Sequence, residues 1–161
     1  LFVSPLILPM IIIGIGLLMV LSSLGTAPTF WALVLGHVVI TLPYVVRTVS
    51  AGLVDIDPHI EEAARIMGAN WLQRYWFVLL PQCLQGIAAG AFFAFNISFD
   101  DVVVVLFLRA PDLETLPLRI YSELEFSPSP AIAAVSSIMI FITIALIFVI
   151  DRVLGIRRAV R

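Results

Sequence analysis

The sequence has no lysine, a single cysteine and few charges of any kind. Charged residues make up 12% of its 161 positions, about half the roughly 25% of soluble domains, while apolar residues reach 61% against roughly 45 to 50%. That balance excludes a water-soluble chain. All nine basic residues are arginine, and a formal charge of −2 gives no electrostatic reason for a nucleic-acid partner. Cys83 stands alone in an apolar stretch, so the chain can form no internal disulfide or cysteine metal cluster, and the thiol reads as packing. His37 and His59 lie on separate segments without H-E-x-x-H spacing, so no metal site is expected. No G-x-x-x-x-G-K-S/T run occurs, and no nucleophile, base and orienting group cluster in the sequence, so no catalytic residues and no cofactor are expected in this chain.

What remains is a set of long apolar runs. Crossing the roughly 30 Å hydrocarbon layer takes about 20 mainly apolar helical residues. Four segments meet that requirement, at about 4–24, 29–49, 82–108 and 130–150. The expected fold is therefore all-α, a multi-pass membrane protein with four transmembrane helices. Residues 1 to 24 carry neither a basic stretch nor a small-residue cleavage site, so they read as a span and not a signal peptide. The chain opens Leu1-Phe2-Val3 without an initiator Met and is expected to be a fragment lacking its beginning.

Arginine placement sets the expected direction. Arg47, Arg65 and Arg74 lie at or between spans two and three, and Arg152, Arg157, Arg158 and Arg161 follow span four. The remaining connectors hold only Arg109 and Arg119. By the positive-inside rule the loop 50–81 and the C-terminus are cytoplasmic, and residues 25–28 and 109–129 are external. The proline-rich external loop has room for one short helix around Leu118 to Leu124.

Helix punctuation is clearest in the cytoplasmic loop. Asp57 is placed to cap a helix whose first residue is Pro58, where a missing N–H costs nothing. Ile60, Ala63, Ala64 and Met67 then form one apolar stripe, expected to put the two alanines inward. Gly68 is placed to end the helix in a left-handed conformation. Asn70 with Gln73 spells a capping box for a second helix, and Pro81 marks a junction into span three. On physical grounds alone, a docking knob and a plain amphipathic connector are both open.

Glu62-Ala63-Ala64, three residues, Gly68, nine residues and Val78-Leu79-Leu80-Pro81 resemble the E-A-A-x3-G-x9-I-x-L-P loop of ATP-binding-cassette importer permeases, with Val78 in place of Ile. The resemblance implies that the chain is the last four helices of a six-helix permease core in a bacterial inner membrane. It also implies that Glu62, Ala63, Ala64, Gly68 and Ala69 form a coupling helix and its turn, seated on a separate ATPase. ATP and Mg would be bound by that partner, and the other implied partners are a second permease subunit and an external solute-binding protein. The chain itself would be a transport permease and not an enzyme.

Acidic groups inside an apolar span are costly and mark candidate path residues. Asn96, Ser98, Asp100 and Asp101 supply such a set, with Asn96 and Asp100 on one helical face and Asp101 expected to pair with an arginine from the loop or another subunit. A second reading is that Ser98 or Asp100 caps a new helix after a break. Ser98-Phe99-Asp100-Asp101-Val102-Val103, Leu116-Pro117-Leu118-Arg119 and Ser127-Pro128-Ser129-Pro130 resemble the spermidine and putrescine branch, which implies a polyamine or related solute. Pro5 is followed by Leu6, where that branch often has an acidic residue. His37 either lines the path or bonds a neighbouring helix. The competing class is a secondary transporter or channel using Asp100, Asp101 and His37 for ion coupling, which predicts internal repeats that the sequence does not display.

Overall fold

A computed structural model describes residues 9–54, 56–126 and 129–154. The described residues are helical almost throughout and include no strand. In chain order the helices are α1 (Met10–Ser23), α2 (Phe30–Val54), α3 (Pro58–Ile66), α4 (Trp71–Phe99), α5 (Val103–Leu108), α6 (Leu116–Phe126) and α7 (Pro130–Leu154). Three of them, α2, α4 and α7, are long and apolar enough to cross a membrane. The described part of α1 is apolar but shorter, at 14 residues, and the first residues of the expected 4–24 span lie outside the described region.

α1 ends where Gly25 takes φ +69°, with Gly25 N–H donating to Ser22 and Thr26 N–H to Leu21, both at 3.0 Å. That turn satisfies carbonyls the helix end would otherwise leave open. It sends α2 back alongside α1. α2 and α4 then run antiparallel and make the most extensive helix contact in the bundle. Their surfaces meet at glycine. A Cβ on Gly86 would lie 2.8 Å from the Thr48 carbonyl oxygen, and one on Gly90 would lie 2.6 Å from Thr48 Oγ1 and 3.2 Å from Val45 Cα. Gly86 and Gly90 form a G-x-x-x-G pair, the arrangement that lets two backbones approach where lipid offers no hydrophobic drive for association.

The stretch 82–108, expected as a single span, departs from that expectation at both ends. Toward the N-terminus the helix does not start at Pro81 but runs back unbroken to Trp71. One wide π turn at Tyr75–Leu79 lies just ahead of Pro81, with Leu80 N–H reaching the Tyr75 carbonyl. Such a turn makes room for a proline ring that an ordinary helix would press against the carbonyl four residues back. Gln82 Nε2 donates to the Val78 carbonyl at 2.9 Å.

Toward the C-terminus the helix stops at Phe99, and α5 begins at Val103. An aspartate pair followed by four β-branched valines favours a cap over helix continuation. α5 is then wedged between α1 and α2. Val104, Val105 and Leu108 are fully buried there, in one core with Leu33, Ile40 and Leu118. Gly14 and Gly36 give α5 its space, since a Cβ on Gly14 would meet the Phe107 ring at 2.8 Å and one on Gly36 would meet Leu108 Cδ1 at 2.5 Å.

α6 covers residues 116 to 126, somewhat longer than expected, and places Leu118 in the core. α7 packs on α4 and α6 and leaves most of its apolar side chains exposed.

Gly90→Leu is expected to destabilise the purified protein by about 1 to 3 kcal/mol, since the neighbours it would overlap include backbone. Gly16→Leu, at an exposed position where an added Cβ meets nothing within 4 Å, is the control expected to cost little. Thermal unfolding in detergent distinguishes the two.

Candidate functional site: a cleft at the helix break and a hairpin at the opposite end

The interruption between α4 and α5 opens a cleft of about 630 Å³. Asn96, Phe99, Asp100 and Asp101 line it from the break, and Met139, Ile140, Thr143 and Ile144 line it from α7. The two aspartates have separate roles. Asp101 is only 6% exposed, and its two carboxylate oxygens accept from Val104 N–H at 3.3 Å and Val105 N–H at 3.2 Å. It caps α5, which gives a buried charge the partners it needs. Among the described residues no arginine forms an ion pair with it.

Asp100 is exposed to the cleft at the C-terminal end of α4, where its N–H bonds the Asn96 carbonyl at 3.2 Å. A helix C-terminus already carries partial negative charge, so a carboxylate there deepens the negative potential instead of neutralising it. Asn96 stands one turn back on the same face, its Nδ2 donating to the Phe92 carbonyl at 3.0 Å, which leaves its amide oxygen to accept. Ser98 is not in the cleft. Its Oγ lies 3.0 Å from His37 Nδ1 and joins α4 to α2, so the histidine bonds a neighbouring helix. The break therefore occurs as a cap, formed by Asp101 and not by Ser98 or Asp100.

At the other end of α2 and α4 stands the hairpin of α3. Asp57 Oδ1 accepts from His59 N–H at 2.9 Å, and Pro58 occupies the first turn. Gly68 has φ +85°, with Gly68 N–H on the Arg65 carbonyl and Ala69 N–H on the Ala64 carbonyl, both at 3.0 Å. Asn70 and Gln73 exchange reciprocal 2.9 Å bonds as a capping box that opens α4. The geometry is fixed at every step by the residues that spell it.

The apolar stripe turns out differently from expectation. Ala64 alone is buried against α4; Ala63 and Ile60 are exposed, and Ile66 and Met67 are each 81% exposed. Glu62 also points to solvent, close to His59 at 3.7 Å. Nine residues are too few for a helix to bury a full face on the bundle while its caps hold it at the tip. The uncovered side is an apolar surface with an acidic edge.

The sequence pattern of the family described as "Binding-protein-dependent transport system inner membrane component" matches residues 1–157. The chain belongs to that family. Among curated relatives, the spermidine/putrescine transport system permease protein PotC of Escherichia coli K12 is 35% identical over 139 residues, 86% of this chain and 53% of the relative. The putrescine transport system permease protein PotI of the same strain is 32% identical over 146 residues, covering 85% of this chain and 51% of the relative. The sulfate transport system permease protein CysT of Salmonella typhimurium is 32% identical over 114 residues, 69% of this chain and 41% of the relative. The chain spans about half the length of the curated relatives it matches. Family membership and the apolar spans together make it a membrane transport component.

Sequence reasoning missed the α7 side of the cleft. Thr143 is the one polar side chain in the run Ile138 to Val149, a signal that could have marked it, although Met139 and Ile140 carry none. It also missed the G-x-x-x-G pair on α4, which was legible.

Asp101→Ala is expected to cost about 0.5 to 2 kcal/mol of stability by loss of the cap. Asp101→Asn, which keeps an acceptor oxygen, should lose less, and Asp100→Asn should leave the unfolding temperature unchanged. Thermal unfolding of the three purified variants reads the order directly.

Proposed function

We propose that the chain is a permease subunit of an ATP-driven importer, that its hairpin docks a separate ATPase, and that its cleft passes a cationic solute of the polyamine class. The observation that carries the reading is the division of labour at the break. Asp101 is consumed in capping α5, while Asp100 is left in the cleft at the negative end of α4. Ends of interrupted helices that face a cavity are suited to hold small ions and charged solutes. Here the exposed end is a carbonyl terminus reinforced by a carboxylate, which favours ammonium groups. Phe99, stacked on Phe95 with ring centroids 5.1 Å apart, gives the cleft an apolar wall for a methylene chain. Two of the relatives above carry putrescine in their names, which supports the same solute class.

The hairpin supports the docking half. α3 leaves Ile60, Ala63, Ile66 and Met67 uncovered beside Glu62, at the end of the bundle opposite the cleft. In the proposed arrangement that end and the C-terminus are cytoplasmic, and α6 faces outside. The ATPase binds ATP and Mg, a second permease subunit completes the path, and an external solute-binding protein delivers cargo. The ion-coupled alternative is disfavoured because His37 is committed to Ser98 and Asp101 to backbone N–H groups.

In membrane vesicles holding the full transporter, radiolabelled putrescine uptake should be competed by spermidine but not by amino acids or ferric ions. Asp100→Asn is expected to lower uptake about tenfold, the effect of losing roughly 1.4 kcal/mol of charge-assisted binding. Gly68→Trp should abolish co-purification of the ATPase subunit. Polyamines that fail to compete would remove the solute assignment, and an ATPase retained by Gly68→Trp would remove the docking assignment.

A further inference from the structure

α3 is held to the rest of the molecule by few contacts. Its C-terminal end is fixed by the turn at Gly68, the capping box at Asn70 and the burial of Ala64. A short helix fixed at one end is a hinged flap, and a push on its outer face rotates it without displacing what lies behind. A second attachment near its other end would turn the flap into a lever. One residue supplies such an attachment. Arg74, on the first turn of α4, reaches back across the hairpin so that Nη1 lies 3.9 Å from Glu61 Oε1 on the first turn of α3. The Arg74 side chain is only 22% exposed, and its Nε is buried with no hydrogen-bond partner among the described residues. Arg65 and Glu62 lie around the same small hollow, with Pro58 at its edge.

The position of Arg74 within α4 matters as much as its partner. The π turn starts at the next residue, Tyr75. A π turn is a rare single-turn departure inside an α-helix and is found frequently at functional sites. Movement reaching Arg74 therefore enters α4 one residue ahead of that turn, on the helix that continues to the break at Asp100.

We propose that the Glu61–Arg74 ion pair is the strut that couples movement of α3 to α4, with Arg74 as a positioning residue that touches neither ATPase nor solute. This rests on the docking reading above. The test uses the full-length subunit assembled with its partner subunits in lipid nanodiscs, with Cys83→Ser and a reporter Thr143→Cys in the cleft. Labelling of the reporter by a charged maleimide is timed with and without ATP plus vanadate, and ATPase subunit recovered with the complex is measured in the same preparation.

With the strut intact, nucleotide should change the labelling rate severalfold. Arg74→Ala and Glu61→Gln should each reduce that change about two- to fivefold, in the range expected of a partly exposed pair. The exchanged pair Glu61→Arg with Arg74→Glu should restore it, an outcome that a merely folding-related role would not produce. The proposal is overturned if Arg74→Ala responds to nucleotide as the parent does, or if the exchange gives no recovery while ATPase remains bound. It is also overturned if the parent reporter is indifferent to nucleotide with ATPase bound. Absence of the ATPase from the parent complex would instead defeat the docking reading itself.

Discussion

A helix interrupted within an apolar bundle must find partners for the peptide groups it exposes, because hydrocarbon offers none. The gap between Phe99 and Val103 is such an interruption, and the structure around it depends on how it is satisfied. Asp101 provides acceptors for two N–H groups of α5, and with that the short helix can turn aside into the space between α1 and α2. Were the span continuous, Val104 and Leu108 would not reach Gly36, and the cleft between the break and α7 would have no floor. The buried carboxylate thus serves architecture, and its neighbour is left available for chemistry.

Close approach of backbones is the second organising element, and it is distributed unevenly. Gly86 and Gly90 seat α4 on Thr48 and Val45 of α2, and Gly14 and Gly36 accommodate α5. Thr48 meets the same requirement from the other side: its hydroxyl is returned to the Tyr44 and Val45 carbonyls at 3.0 Å, so a polar side chain lies at a tight contact without an unmet demand. α7 makes no comparable contact and retains an exposed apolar surface. The closely packed part of the molecule is accordingly α1, α2, α4 and α5.

Much of this was legible beforehand because the signals were local. Asp57-Pro58, Gly68 and Asn70 with Gln73 each act within four residues, and the hairpin followed them closely. The apolar runs fixed the long helices for the same reason. Where the outcome depended on distant groups, the reading stayed incomplete. An aspartate pair in an apolar run is compatible with path lining or capping, and only the position of α5 against α1 and α2 assigns Asp101 to the second. Ser98 was misplaced because its partner, His37, is 61 residues away. The inward stripe on α3 failed through a different cause: periodicity tells which residues share a face, but not whether a nine-residue helix at the tip of a bundle has anything to lay that face against.

The wide turn at Tyr75–Leu79 carries a consequence for how the chain tolerates change in length. Successive residues of an α-helix are offset by about 100°, and a π turn accommodates one surplus residue without breaking the rod. The hairpin therefore has an angular phase relative to the membrane-embedded part of α4, set by the number of residues between Asn70 and Pro81. Removing one would tighten the turn toward ordinary helix and press the Pro81 ring against the carbonyl four residues back, whereas adding one beyond what the turn absorbs would swing Glu62 and Met67 by about 100°. The turn thus holds slack for a single residue, and the length of that stretch is fixed from both sides.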